Sequence, residues 1–213
     1  MNFIPKILSG AGATLLIFST TLLFALPLGL PIAFMRMSKN KVCSTISSTL
    51  ISILRGTPLM LQLIVWFFGP YYIFGIKLNS SWRVVSIIVG FSINYAAYFA
   101  EIYRAGIESI PIGQYEAASV LGYTKYQTFF KIILSQMIKR VLPPVTNEII
   151  TLIKDTSLAF VVAYAEMFTM AKQVAAAETT IVPLFVAGLF YYIFNYIVAF
   201  VLERIEASLN YYR

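Results

Sequence analysis

Apolar residues in this chain come in long runs, broken at a few places by charges, prolines and glycines. Between Lys6 and Arg36 lie 29 residues without a charge, more than the ~20 that an α-helix needs to cross a bilayer. The run is too long for the apolar core of a signal peptide, and no small-residue cleavage site follows it. It reads as a first spanning helix, with Pro27 and Pro31 near its end, where a kink is tolerated. A second run covers about 46–69 and is interrupted by Arg55-Gly56-Thr57-Pro58. Gly69, Pro70, Gly75 and Asn79-Ser80-Ser81 then mark a loop. A third run follows Arg83 and reaches about 106. A fourth, weaker run begins after Pro143-Pro144, reaches about 170 and carries Glu148, Lys154, Asp155 and Glu166. A fifth, 179–202, holds 24 uncharged residues. The pattern predicts an all-α membrane protein, five transmembrane helices in a single domain over 1–213.

Composition agrees and charge adds an orientation. The chain is 59% hydrophobic and only 12% charged, against about a quarter charged in soluble domains. Its net charge of +7 would point to nucleic acid in a soluble protein. Here placement explains it. With the N-terminus outside, ten basic residues fall on one side: Arg36, Lys39, Lys41, Arg104, Lys125, Lys131, Lys139, Arg140, Arg204 and Arg213. Four fall on the other: Lys6, Lys77, Arg83 and Lys172. Arg55 and Lys154 lie within the runs. The positive-inside rule therefore predicts the N-terminus outside, the C-terminus cytoplasmic, and no nucleic-acid partner. Cys43 is the single cysteine, which excludes an internal disulfide, and reads as a small residue at a helix end. The absence of histidine removes His-based zinc sites and Ser/His or Cys/His catalytic pairs.

The largest inside loop, about 107–142, has its own pattern. Pro111 suits a helix start and Gly122 a stop just past a helix end, with Glu116, Ala117 and Ala118 between them. Beyond Gly122, Tyr126, Phe129, Phe130, Ile133 and Met137 recur at helical spacing among Lys125, Lys131, Lys139 and Arg140. That segment either lies on the membrane surface or leads into the fourth span. The short helix is either a docking element or an ordinary ordered loop; Ala117-Ala118 permits close approach of another surface.

Several linked motifs then resemble one family. Glu116-Ala117-Ala118, Gly122 and Ile132-x-Leu134 resemble the EAA loop of ABC-importer membrane subunits. Arg55-Gly56-Thr57-Pro58-Leu59, the stretch 98–107, Ser109-Ile110-Pro111, Leu142-Pro143-Pro144 and Lys154-Asp155-Thr156-Ser157-Leu158 are similar to the polar amino-acid permeases of the histidine/glutamine/arginine type. The resemblance covers about 50–170. Ser135 departs from it, standing where the family usually has proline. The resemblance implies a type I importer permease in a prokaryotic inner membrane. It implies a coupling helix between the third and fourth spans, with Gln114, Tyr115, Glu116, Ala117, Ala118 and Gly122 contacting a cytoplasmic ATPase dimer. It further implies a second permease copy, identical or related, and an external amino-acid-binding protein. The chain has no GxxxxGK[ST], so ATP and Mg belong to the ATPase, no cofactor or metal is expected here, and the chain is not expected to be an enzyme.

Ionisable groups within spans cost roughly 2.5–3.5 kcal/mol each on insertion scales, so their positions carry information. Asn94, Tyr98 and Glu101 share one helical face, and Glu148, Thr151 and Asp155 share another. The two stripes are expected to line one cavity, with Thr156 and Ser157 contributing beside Asp155. Glu101 has a plainer reading as the partner of Arg104, and Asp155 as the partner of Lys154 or Arg55. Asp155-Thr156-Ser157 is a candidate helix break or cap. Arg55-Gly56-Thr57-Pro58 is either a similar break or a kink. Two lining carboxylates favour a basic amino acid among polar ones. The aromatic segment 190–200 reads as packing and interfacial belt. Two other functions stay open: an ATP-independent secondary transporter or channel, expected to carry internal repeats that are not found, and an intramembrane enzyme with a Ser157/Lys154 pair.

Overall fold

A computed structural model describes residues 3–209. Arg213, counted above among the inside charges, lies outside the described residues. The described residues form helices without a strand. A short α1 (Ile4–Leu8) turns at Gly10 into α2 (Ala11–Arg36). Then come α3 (Lys41–Gly56), α4 (Leu59–Phe74) and α5 (Ser80–Glu108), followed by α6 (Ile112–Val120) in the predicted loop. A turn of helix, α7 (Lys125–Thr128), passes through a π-turn at Phe129–Ile133 into α8 (Leu134–Asp155). A 3₁₀ segment (Thr156–Val162), α9 (Met167–Ala177) and α10 (Val182–Leu209) complete the order.

Three stretches are long and apolar enough to cross a membrane: Ile4–Arg36, Ser80–Glu108 and Val182–Ser208. The second run is a helix pair, α3 and α4, bent by 107° at Thr57-Pro58, so its interruption is a break and not a shallow kink. Pro58 lacks the donor a continuous helix needs and keeps Thr57 extended (φ −118°, ψ 146°). The fourth run differs most from expectation. Pro143 and Pro144 do not start a helix but lie inside α8, whose Met137, Val141 and Val145 are buried. Packing on both sides of the proline pair carries the helix across it. The amphipathic segment after Gly122 therefore leads into α8 through the π-turn instead of lying apart from it. Asp155 makes no cap; it is the last residue of α8, and the 3₁₀ segment continues directly. The true interruption comes at Ala163, in the left-handed region (φ 55°), and the cap is Glu166. Its carboxylate accepts from Phe168 N (2.7 Å) and Thr169 N (2.6 Å) and from the Tyr191 hydroxyl (2.9 Å).

The centre of the fold is the crossing of α2 and α5. Thr21, Ala25, Gly29 and Ala33 form a small-residue stripe at four-residue spacing, all buried. A Cβ on Gly29 would come within 2.9 Å of Phe99 Cβ, so glycine sets that approach. Phe91, Tyr95 and Phe99 of α5 are buried at the same spacing. Tyr103, half-buried one turn further on, donates to Leu26 O (3.2 Å). Because α5 sits in the middle, its polar residues are held on a rigid helix.

Candidate functional site

The break between α3 and α4 leaves carbonyls without intrahelical partners, and side chains take them up. Thr57 Oγ1 donates to Ile53 O (2.8 Å). Gln62 Nε2 donates to Leu54 O (2.8 Å) and to Thr57 Oγ1 (2.9 Å). Asn94, buried on α5, donates to Leu54 O (3.0 Å) and to Gln62 Oε1 (3.1 Å). Asn94 thus fastens α5 to the break. Gln62 escaped the sequence reading; its signal is a lone amide in an otherwise apolar run.

Beside this break lies a cavity of about 520 Å³, within the range of small-molecule sites. Asn94 and Tyr98 line it from α5, Glu148, Thr151 and Asp155 from α8, and Arg55 to Leu59 from the break. A second chamber of about 430 Å³ adjoins it, sharing Arg55, Tyr98 and Glu148. Its further lining includes Glu101, Arg104 and Arg140. The two polar stripes therefore meet along one cleft. Thr156 and Ser157 do not line either chamber. Thr156 is fully buried and donates to Ile153 O (2.7 Å), and Ser157 donates to Lys154 O (2.7 Å). The 3₁₀ continuation turns both back onto α8, which is why adjacency to Asp155 does not bring them to the cleft.

The carboxylates have unlike surroundings. Glu101 Oε2 is 2.8 Å from Arg104 and 4.0 Å from Arg55, and Oε1 is 3.8 Å from Arg36. The plainer reading of Glu101 is realised, with two arginines beyond the one expected. Asp155 pairs with neither Lys154 nor Arg55; its Oδ2 accepts from the Tyr95 hydroxyl at 2.7 Å. Tyr95 was missed because it sits one position off the Asn94–Tyr98–Glu101 stripe. Its signal is a phenol inside the buried Phe91–Tyr95–Phe99 row, where a hydroxyl needs an acceptor. Arg55 also lies 5.1 Å above the Tyr98 ring. Among the described residues, no three His, Cys, Asp or Glu side chains gather into a metal-binding group.

On α6, Gln114, Tyr115, Glu116 and Ala117 are exposed, and Ala118 is the buried residue. Gly122 has φ 75°, and the Gly122 and Tyr123 N–H groups donate to Ser119 O and Ala118 O, a Schellman ending. The Gln136 amide on α8 donates to Gln114 Oε1 (3.1 Å), and Arg140 donates to Ser109 O. Ser135, where the family's proline is usual, sits within continuous helix and donates to Ile132 O (3.1 Å).

Comparison with known proteins gives a consistent result. Residues 25–211 match the family described as binding-protein-dependent transport system inner membrane component. The arginine transport system permease protein ArtQ of Bacillus subtilis is 35% identical over 97% of this chain and 94% of its own length. A putative glutamine transport system permease protein GlnP of Rickettsia bellii is 35% identical over 98% and 96%. A crystal structure of an amino acid ABC transporter with histidines superposes with a TM-score of 0.87, at 29% identity, covering 97% of this chain and 95% of that one. These relatives are permease subunits, and the fold is that of an ABC importer permease. The chain belongs to the family of binding-protein-dependent transport system inner membrane components, among its amino-acid ABC transporter permeases.

Proposed function

We propose that the chain forms half of the translocation pathway of an ATP-driven importer for polar amino acids, preferring basic ones. The observation that carries this is the cleft beside the α3–α4 break, where Asp155 and Glu148 meet Tyr98 and the residues Arg55 to Leu59. Within the 520 Å³ chamber the lining charges are two carboxylates against Arg55. Glu101 is matched by arginines and adds little to the preference. Named relatives concern arginine and glutamine, so the basic preference rests on the side chains alone.

Five crossings complete the topology: the three long stretches, the bent α3–α4 pair, and α8 continued through the 3₁₀ segment and α9. The N-terminus is outside and the C-terminus cytoplasmic, in a prokaryotic inner membrane. An open cleft on one face of the chain asks for a second copy, identical or related, to close it. The helix α6 buries little against its own chain, which suits a coupling element seated on a cytoplasmic ATPase dimer. Hydrolysis belongs to that partner, with its ATP and Mg, and an external binding protein delivers the substrate. Gln136–Gln114 and Arg140–Ser109 tie α6 and its entry to α8, the helix that also carries Glu148 and Asp155.

The test is uptake into liposomes holding this chain with an amino-acid ABC ATPase subunit and binding protein. ATP-dependent, binding-protein-stimulated uptake is expected. Glu116→Lys, an exposed change, should leave the complex assembled and ATP hydrolysis running while uptake is lost. Normal coupling in that variant overturns the role of α6, and uptake without any ATPase means a secondary carrier or channel.

A further inference from the structure

Away from the cleft, a separate furrow runs between α2 and the α7–α8 helix. Its first part, about 320 Å³, is walled by Leu30, Phe34, Tyr126, Phe129 and Phe130, with Lys125 at the rim. Its second, about 250 Å³, shares Leu30 and continues past Pro27 and Leu26 towards Val145. The first wall is ordered by ring contacts: Phe34 meets Phe129 edge-on (5.2 Å) and Tyr126 stacks on Phe130 (6.5 Å). The π-turn at Phe129–Ile133 falls at this wall, a deviation frequent at functional sites.

Three features select an occupant. First, depth: the α2 wall of the furrow runs from Leu26 to Phe34, about 12 Å at 1.5 Å per residue, which fits within one leaflet, half the ~30 Å hydrocarbon thickness. Second, surroundings: on the same helix Leu23, Phe24 and Leu28 are exposed apolar residues, a surface suited to lipid. Third, charge: the apolar wall ends at exposed Lys125, beside Tyr126, which is 80% exposed. A cation and an aromatic at the end of an acyl-length furrow match a negatively charged headgroup at the interface.

We propose that this furrow holds one anionic phospholipid of the cytoplasmic leaflet, acyl chain along Leu30 and Pro27, phosphate at Lys125. Only the naming of the leaflet depends on the topology proposed above. The lysine stem lies along the aromatic wall while its ammonium reaches the headgroup. The π-turn keeps Phe129 against Phe34, so the bound lipid braces the start of the helix that carries the cleft's carboxylates.

The test is native mass spectrometry of the delipidated permease–ATPase complex titrated with phosphatidylglycerol or phosphatidylcholine. Phosphatidylglycerol should be retained preferentially. Lys125→Gln should weaken its retention about fivefold, the effect of one interfacial charge, and leave phosphatidylcholine unchanged. Phe130→Ala, also exposed, should lower retention of both. Equal retention of the two lipids, or indifference of phosphatidylglycerol to Lys125→Gln, overturns the proposal. So does cross-linking of a Phe130→Cys variant to another protein chain, which would mean that a subunit covers the furrow.

Discussion

Glu101 and Asp155 are both carboxylates on the cleft, yet they are set up for different work. Glu101 stands among Arg104, Arg55 and Arg36 at 2.8, 4.0 and 3.8 Å. Asp155 has a single hydrogen-bond donor, the Tyr95 hydroxyl, at 2.7 Å. A carboxylate already surrounded by guanidinium groups has little field left for a cationic ligand. One held by a neutral phenol has no guanidinium at hydrogen-bond distance among the described residues, so a cationic ligand meets no competing cation there. Position on a polar stripe thus does not tell which carboxylate is already matched by cations; the partners on neighbouring helices do.

Breaking the comparison at Asp155 should have the largest effect. A hydrogen bond to a charged group contributes about 1.5–3 kcal/mol, so Asp155→Asn should lower arginine uptake about tenfold to a hundredfold, with glutamine much less affected. The readout is ATP-driven uptake of each labelled amino acid. Glu101→Gln should act on stability instead. Its carboxylate is 18% exposed and Arg104 27%, so the loss leaves three arginines facing one another. Destabilisation of about 1–2 kcal/mol is expected, seen as a lower melting temperature of the purified complex with the arginine-to-glutamine ratio intact. Tyr95→Phe sharpens the same contrast most gently. The hydroxyl that orients Asp155 is lost while the carboxylate itself stays in the cleft, and the arginine KM should move by no more than a few fold.

The helical class, the short helix α6 and both polar stripes are legible in the sequence, because each rests on local spacing. Pro111, Ala118 and Gly122 punctuate a short helix within a few residues of one another, and Asn94, Tyr98 and Glu101 follow from helical arithmetic alone. The features not legible in the sequence depend on what packs from elsewhere. The proline pair at 143–144 looks like a helix start until Met137 and Val145 are buried on either side of it. Thr156 and Ser157 look like neighbours of the site until the 3₁₀ segment turns them back onto α8. Tyr95 and Gln62 carry no spacing signal. Each matters through a residue far away in the chain, Asp155 for one and Leu54 and Asn94 for the other. Arg36 joins Glu101 only because the α2–α5 crossing brings residues from separate runs together.

The most direct test sets the two carboxylates side by side. Liposomes holding the complete transporter, with wild-type chain, Asp155→Asn or Glu101→Gln, would be offered equimolar labelled arginine and glutamine with ATP. The account predicts that the arginine-to-glutamine uptake ratio collapses in Asp155→Asn and holds in Glu101→Gln. A ratio that holds in Asp155→Asn, or collapses only in Glu101→Gln, would contradict it.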